Sequence, residues 1–448
     1  MFPDGNVSSR VKSVSDTLTK ITHVCRDIGV TRISDITYMD KLYIPNYSIF
    51  LPGTQDSIWV YSGKGPTKMH AKASGLMESI ERFCSLSNNY SNNYIRGTYS
   101  ELSKIHSKVL HPGEVVEPVL STYDEKSSNI DHVRGYDLQK SQEVLVPAQL
   151  ALSKYTPKPQ STYAFPYSHT NGLASGNVLE EAICHALYEV IERDAVSIAD
   201  LCSSSIPYTM FKMKNDSKNC EDEFMDDSTL FQEVDISEII EEYEPLKFLV
   251  KRFDDVGLPL LIKDITQKDI GIPTFVASSV ESVTSDYGYY AKGYGTHLDA
   301  RIALVRAIAE LSQTRAGNIQ GARDDLRKIQ YKENDQIQRR KWEFMHTSSS
   351  LVPASSSKKR AIPFSKIKTY IIEDILDEIK HILSSLNSVG LKRAIIVDLT
   401  HSYIGIPVVR AIVPGLETFE IAKLFTTTEL FMGKRAKSYY EKIQHINK

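Results

Sequence analysis

Ala73-Ser74-Gly75-Leu76-Met77-Glu78-Ser79-Ile80-Glu81-Arg82 decides the fold, because the chain writes it again as His185-Ala186-Leu187-Tyr188-Glu189-Val190-Ile191-Glu192-Arg193. In both stretches two glutamates stand three residues apart and an arginine follows. Positions i and i+3 of a helix share a face, so each copy presents two carboxylates side by side. Like charges so placed repel unless a proton or a cation lies between them. A single Glu-x-x-Glu-Arg is ordinarily a solvated face with a local ion pair. Written twice, among Ala, Leu, Met, Val and Ile that suit a core, it reads as a pair of metal-binding helices. Such carboxylates make an oxygen-rich cage for Mg2+, a hard cation usually held through carboxylates and substrate phosphates.

Each helix follows a stretch of small residues. Ile58-Trp59-Val60-Tyr61 reads as a strand that runs into Ser62-Gly63-Lys64-Gly65-Pro66-Thr67, more often a plain turn by itself, although such a turn can offer free backbone N–H groups to a phosphate. It is not a Walker loop, since Gly65 follows Lys64 where Ser or Thr would be needed. Thr170-Asn171-Gly172-Leu173-Ala174-Ser175-Gly176-Asn177 precedes the second helix in the same way. Glu181 lies a little over two turns before Glu189 and adds a fifth carboxylate to that face. A third loop, Gly293-Tyr294-Gly295-Thr296-His297-Leu298-Asp299, opens a helix carrying Arg306, Glu310 and Gln313, with an amide in place of the second carboxylate. Its Gly-x-Gly lacks the third glycine of a dinucleotide fingerprint. Arg306 stands four residues before Glu310, a spacing that suits an ion pair as well as a ligand contact. His297 alone reads as an ordinary capping or core histidine.

The rest of the chain sets the frame. Apolar periodicity predicts helices over 11–29 and 371–387. Val30–Ile33, Leu42–Pro45, Glu143–Pro147, Lys247–Val250, Pro259–Ile262 and Ala394–Leu399 read as strands. Tyr43-Ile44-Pro45, Gly271-Ile272-Pro273 and Gly405-Ile406-Pro407 each precede an apolar run and read as equivalent strand starts, where proline is tolerated. The acidic 203–235 stretch and the polar, Ser-rich 320–362 stretch read as exposed insertions. With 448 residues there is room for two or three structural units, and a net charge of −3 gives no general pull toward nucleic acid or anionic membrane. The five cysteines form no CxxC pair, which argues against a zinc ribbon or disulfide framework and fits a reducing cytoplasm. No stretch has the length of a membrane span and no apolar signal core opens the chain, so a soluble cytoplasmic protein is expected.

Gly-Lys-Gly…Glu-x-x-Glu-Arg, Asn-Gly-x-x-x-Gly-Asn…Glu-x-x-Glu-Arg and Gly-x-Gly-x-His…Arg-x-x-x-Glu-x-x-Gln, in that order, resemble the YcaO family over nearly the whole chain, through Val413-Pro414-Gly415-Leu416-Glu417. The resemblance implies an α+β fold of several sheets packed with helices, with an ATP pocket lined by the two Glu-x-x-Glu-Arg helices. It implies an N-terminal helix and strands over 1–60, a catalytic domain over 61–418 and a helical tail over 419–448. ATP and Mg2+ would activate a peptide-backbone amide. Matched by motif position, Glu78, Glu81, Glu181, Glu189 and Glu192 would hold metal. Lys64, Ser74, Glu78, Glu81, Arg82, Asn177, Glu181, Arg193, Arg306, Glu310 and Gln313 would line the cofactor site, and Glu78, Glu189 and Arg306 would serve catalysis. Gly29-Val30-Thr31-Arg32-Ile33-Ser34-Asp35-Ile36-Thr37 looks most like the methanogen-associated branch. That branch is linked to thioamidation of a glycine in the alpha subunit of methyl-coenzyme M reductase, often with a TfuA partner that delivers sulfide. A homodimer is implied as well. Azoline-forming members typically end in a proline-rich tail, whereas Tyr439–Lys448 holds no proline, which counts against cyclodehydration. The remaining alternative, a nucleotide-binding scaffold, would not need two full carboxylate pairs.

Overall fold

In a computed structural model the chain is described over residues 10–56, 58–90, 94–106, 108–115, 123–155, 170–200, 231–279, 291–321, 361–417 and Arg435. Most of the two expected insertions, and the tail over 419–448 apart from Arg435, lie outside the described residues.

The small-residue stretches ahead of the site helices contain strands. β3 (Val60–Lys64) pairs antiparallel with β2 (Asn46–Phe50), so Gly63 and Lys64 stand in a ladder opposite Tyr47 and Asn46. Ser62, Gly63 and Lys64 therefore belong to the strand, and the turn that opens α2 is only Gly65-Pro66-Thr67. Glycine serves close packing instead. A Cβ on Gly63 would sit 2.0 Å from the Ala71 carbonyl of α2 (Lys68–Ser85), the helix that lies on the strand. Thr67 caps α2 by accepting from the His70 N–H at 3.3 Å. β7 (Leu173–Ser175) runs likewise into α5 (Leu179–Asp200) and pairs with β14 (Val408–Ile412). β11 (Ala291–Thr296) runs into α8 (Ala300–Gln320) and pairs with β10 (Thr274–Ser279).

These are three copies of one unit. Lys64, Ser175 and Thr296 end the inner strands, and each pairs with the first residue of its outer strand: Asn46, Val408 and Thr274. The x-Ile-Pro tripeptides precede those three outer strands, as expected, and each begins with a left-handed residue: Tyr43 at φ 49°, Gly405 at 62° and Gly271 at 71°. Leu42–Pro45, expected as a strand, is therefore a bend, and extended pairing begins only at Asn46. In the second copy the outer strand comes from more than 200 residues downstream, which hides the repeat in the chain.

The copies close a ring, because α2 also packs on β7, α5 on β11 and α8 on β3. Around it, β1 (Arg32–Asp35) and β9 (Leu261–Asp264) complete three-stranded sheets on β2 and β10. β7 and β14 belong to a six-stranded sheet with β4 (Ile95–Gly97), β5 (Ile130–Asp137), β6 (Gln142–Pro147) and β13 (Ile395–Asp398). β8 (Val234–Asp235) and β12 (Ile362–Pro363) form a short parallel pair, and α3 (Tyr99–Ile105), α4 (Ala148–Ala151) and α6 (Ser237–Ile240) are brief surface or connecting helices. Each site helix buries its back in its own core. Leu76 and Ile80 of α2 meet Ile21 and Cys25 of α1 (Val14–Asp27). Ala186 and Leu187 of α5 meet Ile379 and Ile382 of α9 (Ile375–Ser388). Ala303, Leu304 and Leu311 of α8 meet Leu246 and Phe253 of α7 (Glu244–Asp255). Lys247–Val250 thus lies in a helix rather than the expected strand. Leu246, Leu249, Val250 and Phe253 are buried at helical spacing, and Pro245 sits in the first turn, where its missing N–H costs nothing.

Candidate active site

Counting from the strand ends puts the site in register. Fourteen positions on stand Glu78, Glu189 and Glu310 (64 to 78, 175 to 189, 296 to 310). Three further on stand Glu81, Glu192 and Gln313, and one turn before the first set stand Ser74, His185 and Arg306. With the apolar backs turned outward, these half-buried faces line the inside of the ring.

Neighbouring units lock together there. The N–H and hydroxyl of Ser175 donate to Glu81 Oε1 at 2.8 and 2.6 Å. Lys64 of the first unit pairs with Glu310 of the third, and Gln313 donates to the Ser62 carbonyl. Glu310 also accepts from the Tyr294 N–H at 3.3 Å, and Glu78 accepts from the equivalent N–H of Ser62. Arg306 donates to the Thr296 carbonyl at 3.1 Å and lies over the Tyr188 ring at 5.6 Å. Behind it, Tyr188 stacks on His297 and donates to Glu378, which also accepts from Cys184. His297 Nδ1 accepts from the Asp299 N–H at 2.9 Å, the capping role expected for it.

Glu181 and Asn177 lie at the start of α5. Arg10 pairs with Glu181 at 2.6 Å, Asn177 donates to both Glu181 oxygens at 3.2 and 3.3 Å, and Thr17 of α1 donates to Asn177 at 3.0 Å. Arg82 diverges from its counterpart. Its Nε faces the buried Asp56 at 3.4 Å and its guanidinium lies over Tyr61, whereas Arg193 stays among Glu189, Glu192 and Glu310.

Enclosure by protein, followed by mutual repulsion, governs the charges. Burial and then Glu81 and Glu192 push Glu189 up to about 8, despite Arg193. Burial raises Glu81 to about 7, with Glu78 adding to it against the Ser175 hydrogen bonds. Burial and Glu310 raise Glu192 to about 7, and burial raises Glu78. Burial pushes Glu310 up too, but Lys64 and Arg193 more than offset it and hold it below the ordinary carboxyl range.

The five-carboxylate metal cage is not preformed. Among the described residues, no three His, Cys, Asp or Glu groups stand together as a site for a metal ion. Repulsion explains this: Lys64 is drawn to Glu310 and Arg10 to Glu181, so cations of the chain itself stand among the acids. The donor set still fits Mg2+ with a nucleotide. Its anionic ligands are all carboxylate oxygens, those on α2 and α5 are short of counter-charge, and Lys64, Arg193 and Arg306 stand by for phosphates. Sequence reasoning missed Arg10, which lies 171 residues from Glu181, and His185, which carried no motif of its own. Ser175 lay in plain view inside a stretch read as a loop.

Residues 62–417 match the family described as YcaO cyclodehydratase, ATP- and Mg2+-binding. An uncharacterised protein of Methanothermobacter thermautotrophicus is 31% identical over 408 residues, 91% of this chain and 94% of that one. An uncharacterised protein in the tfuA 3′ region of Rhizobium leguminosarum bv. trifolii is 28% identical, covering 91% of this chain and 88% of its own length. Among solved structures, YcaO from Methanopyrus kandleri bound with AMPPCP and Mg2+ superposes with a TM-score of 0.67 at 19% identity, covering 96% of both chains. A heterocyclase in complex with substrate and cofactor gives 0.67 at 22% identity, covering 92% of this chain and 53% of that one. The mixed, multi-sheet fold is the one these structures share.

Proposed function

The chain belongs to the YcaO family, and from that premise we propose that it exchanges a peptide-backbone amide oxygen for sulfur, using ATP and Mg2+, to form thioglycine in the alpha subunit of methyl-coenzyme M reductase. The observation that carries sulfur chemistry over ring closure is the 28% identical relative in a tfuA 3′ region, alongside the similarity to a methanogen protein. A TfuA-like protein is then the sulfide-delivering partner, and a cytoplasmic homodimer belongs to the same reading.

In this reaction hydrosulfide adds to the amide carbon, and the oxyanion so formed attacks the γ-phosphorus of ATP, releasing ADP. Loss of phosphate from carbon, with the sulfur-bound proton passing to solvent, leaves C=S. The amide oxygen ends in phosphate, and no oxidant or reductant is consumed. The chain has little covalent work to do, so its part is positioning and charge neutralisation. Glu78, Glu81, Glu189 and Glu192, with Glu181 at the edge, would hold Mg2+, which neutralises phosphate charge. Ser175 fixes the Glu81 carboxylate, and Tyr188 supports Arg306 from beneath, so both approach the ligand with little freedom left to lose. Lys64 and Arg193 supply cations on the Glu310 side.

Azoline formation at Cys, Ser or Thr is the second reading, favoured by the family's description as cyclodehydratase. Intact mass spectrometry of a glycine-containing reductase peptide, incubated with ATP, Mg2+ and sulfide, with and without a TfuA-like protein, separates the two. Replacement of oxygen by sulfur, lost in Glu78→Ala and Glu189→Ala, is the expected result. Loss of one water from a Cys, Ser or Thr peptide would assign ring closure instead.

A further inference from the structure

The three-unit register places His185 where the other units have Ser74 and Arg306. Four residues before Glu189, it shares that residue's face of α5 and is half-buried. Arg10 Nη2 lies 3.3 Å from His185 Nδ1. Arginine has donors only, so Nδ1 must accept, and the ring is neutral with its proton on Nε2. The tautomer is thereby fixed by a residue 175 positions away.

Glu181 and Glu189 stand one turn to either side of this ring on α5, yet cations act on it most strongly. Arg10, Arg306 and Lys64 are the charged groups that act most on His185. Two of the three already hold carboxylates: Arg10 with Glu181, and Lys64 with Glu310. Arg306 has a backbone carbonyl and an aromatic face. Arg306 on α8 and the His185 N–H therefore offer donors and positive charge at the start of α5, while the acids with raised values, Glu78, Glu81, Glu189 and Glu192, lie farther along α2 and α5. A polyanion carrying a divalent cation matches that division.

We propose that His185 is a nucleotide-contacting residue, its Nε2–H donating to a phosphate oxygen of Mg2+·ATP beside Arg306. This rests on the nucleotide-activating reading of the site. His185 is not the proton acceptor of the reaction, since its one lone pair is committed to Arg10. The role differs from that of Arg306 in kind: a neutral donor adds no charge where Arg10, Arg306 and Lys64 already crowd together.

Isothermal calorimetry with the non-hydrolysable analogue AMPPCP and Mg2+ tests it on the full chain, using three variants whose melting temperature without nucleotide is recorded. His185→Ala should weaken binding about ten- to a hundredfold, the range for one hydrogen bond to a charged group. His185→Gln keeps an N–H at the reach of Nε2 and should recover most of the loss. His185→Asn keeps an acceptor near Nδ1 for Arg10 but no donor at that reach, and should not. Rescue by Asn and not by Gln would overturn the proposal and reduce His185 to an Arg10 holder. Wild-type affinity in His185→Ala would overturn it outright. A wild-type chain that binds no Mg2+·AMPPCP would instead overturn the nucleotide reading itself.

Discussion

Raising the pH from 6.5 to 8.5 should destabilise the nucleotide-free protein and leave the nucleotide-bound protein far less affected. Glu189 stands near 8, and Glu81, Glu192 and the fully buried Asp194 near 7, each pushed up first by burial. In the unfolded chain these carboxyls titrate near 4. Between the two values the folded protein binds more protons than the unfolded one, so stability falls as pH rises. Three enclosed histidines oppose this at the lower end of the window: burial holds His132 at about 4 and His185 and His297 well below their usual value, so they are neutral folded but about half protonated unfolded at pH 6.5, an offset of about 0.4 kcal/mol each. At about 1.4 kcal/mol per unit, Glu189 contributes about 2 kcal/mol over the window and each of the others about 0.7. The carboxylates share one field and do not add fully, and the histidines offset about 1 kcal/mol, which leaves about 1–3 kcal/mol for the set. A chain of 448 residues loses about 1 kcal/mol per degree near its midpoint, so the melting temperature should drop by about 1–3 °C. Glu189→Gln should remove about half of that drop. Mg2+·AMPPCP favours the ionised acids, so binding at pH 7 should release about one to two protons, read by calorimetry in buffers of different ionisation enthalpy. A flat melting temperature across the window, with no proton release, would refute the reasoning.

Other outcomes follow from single contacts. Asp40 and Arg315 form a buried two-pronged ion pair, at 2.9 and 3.0 Å, that ties the turn before β2 to α8, and Asp40→Ala should cost about 3–5 kcal/mol in urea unfolding by stranding the guanidinium. Gly293→Ala puts a Cβ 2.1 Å from the Leu311 N of α8, a rigid backbone atom, and should cost at least about 1–3 kcal/mol by the same assay. Mg2+·AMPPCP at a hundredfold its dissociation constant should raise the melting temperature by about 3 °C, and a chelator should abolish the rise. Below pH 6.5 burial of neutral His132 works against the acids: the unfolded chain binds the extra proton, which by itself costs stability down to about pH 4, so His132→Phe should shift that limb of a thermal-melt pH profile upward.

Much of the site was legible because helical periodicity and charge are local. Glu78 with Glu81, and Glu189 with Glu192, were readable as same-face pairs from their spacing alone, and Glu310 with Gln313 as a weaker third. The strand–helix nature of the units was not legible. Gly63 and Gly293 look like turn residues in a chain, and only the helix lying on the strand shows that what they provide is room. Lys247–Val250 misled for a related reason, since a lysine followed by three apolar residues suits a strand until Leu246 and Phe253 extend the pattern to a helical face.

The sequence by itself determined which helices bear the acids, their order, the three equivalent strand starts after x-Ile-Pro, and the family. Tertiary structure alone decided which charges meet. Arg10 reaches Glu181 and His185, Lys64 crosses to Glu310, and Arg82 turns to Asp56 although its twin Arg193 stays with the carboxylates. Secondary structure follows from neighbours a few residues apart, which a sequence displays. An ion pair depends on distances of a few ångströms between groups hundreds of residues apart, and those are set only when the ring of three units closes.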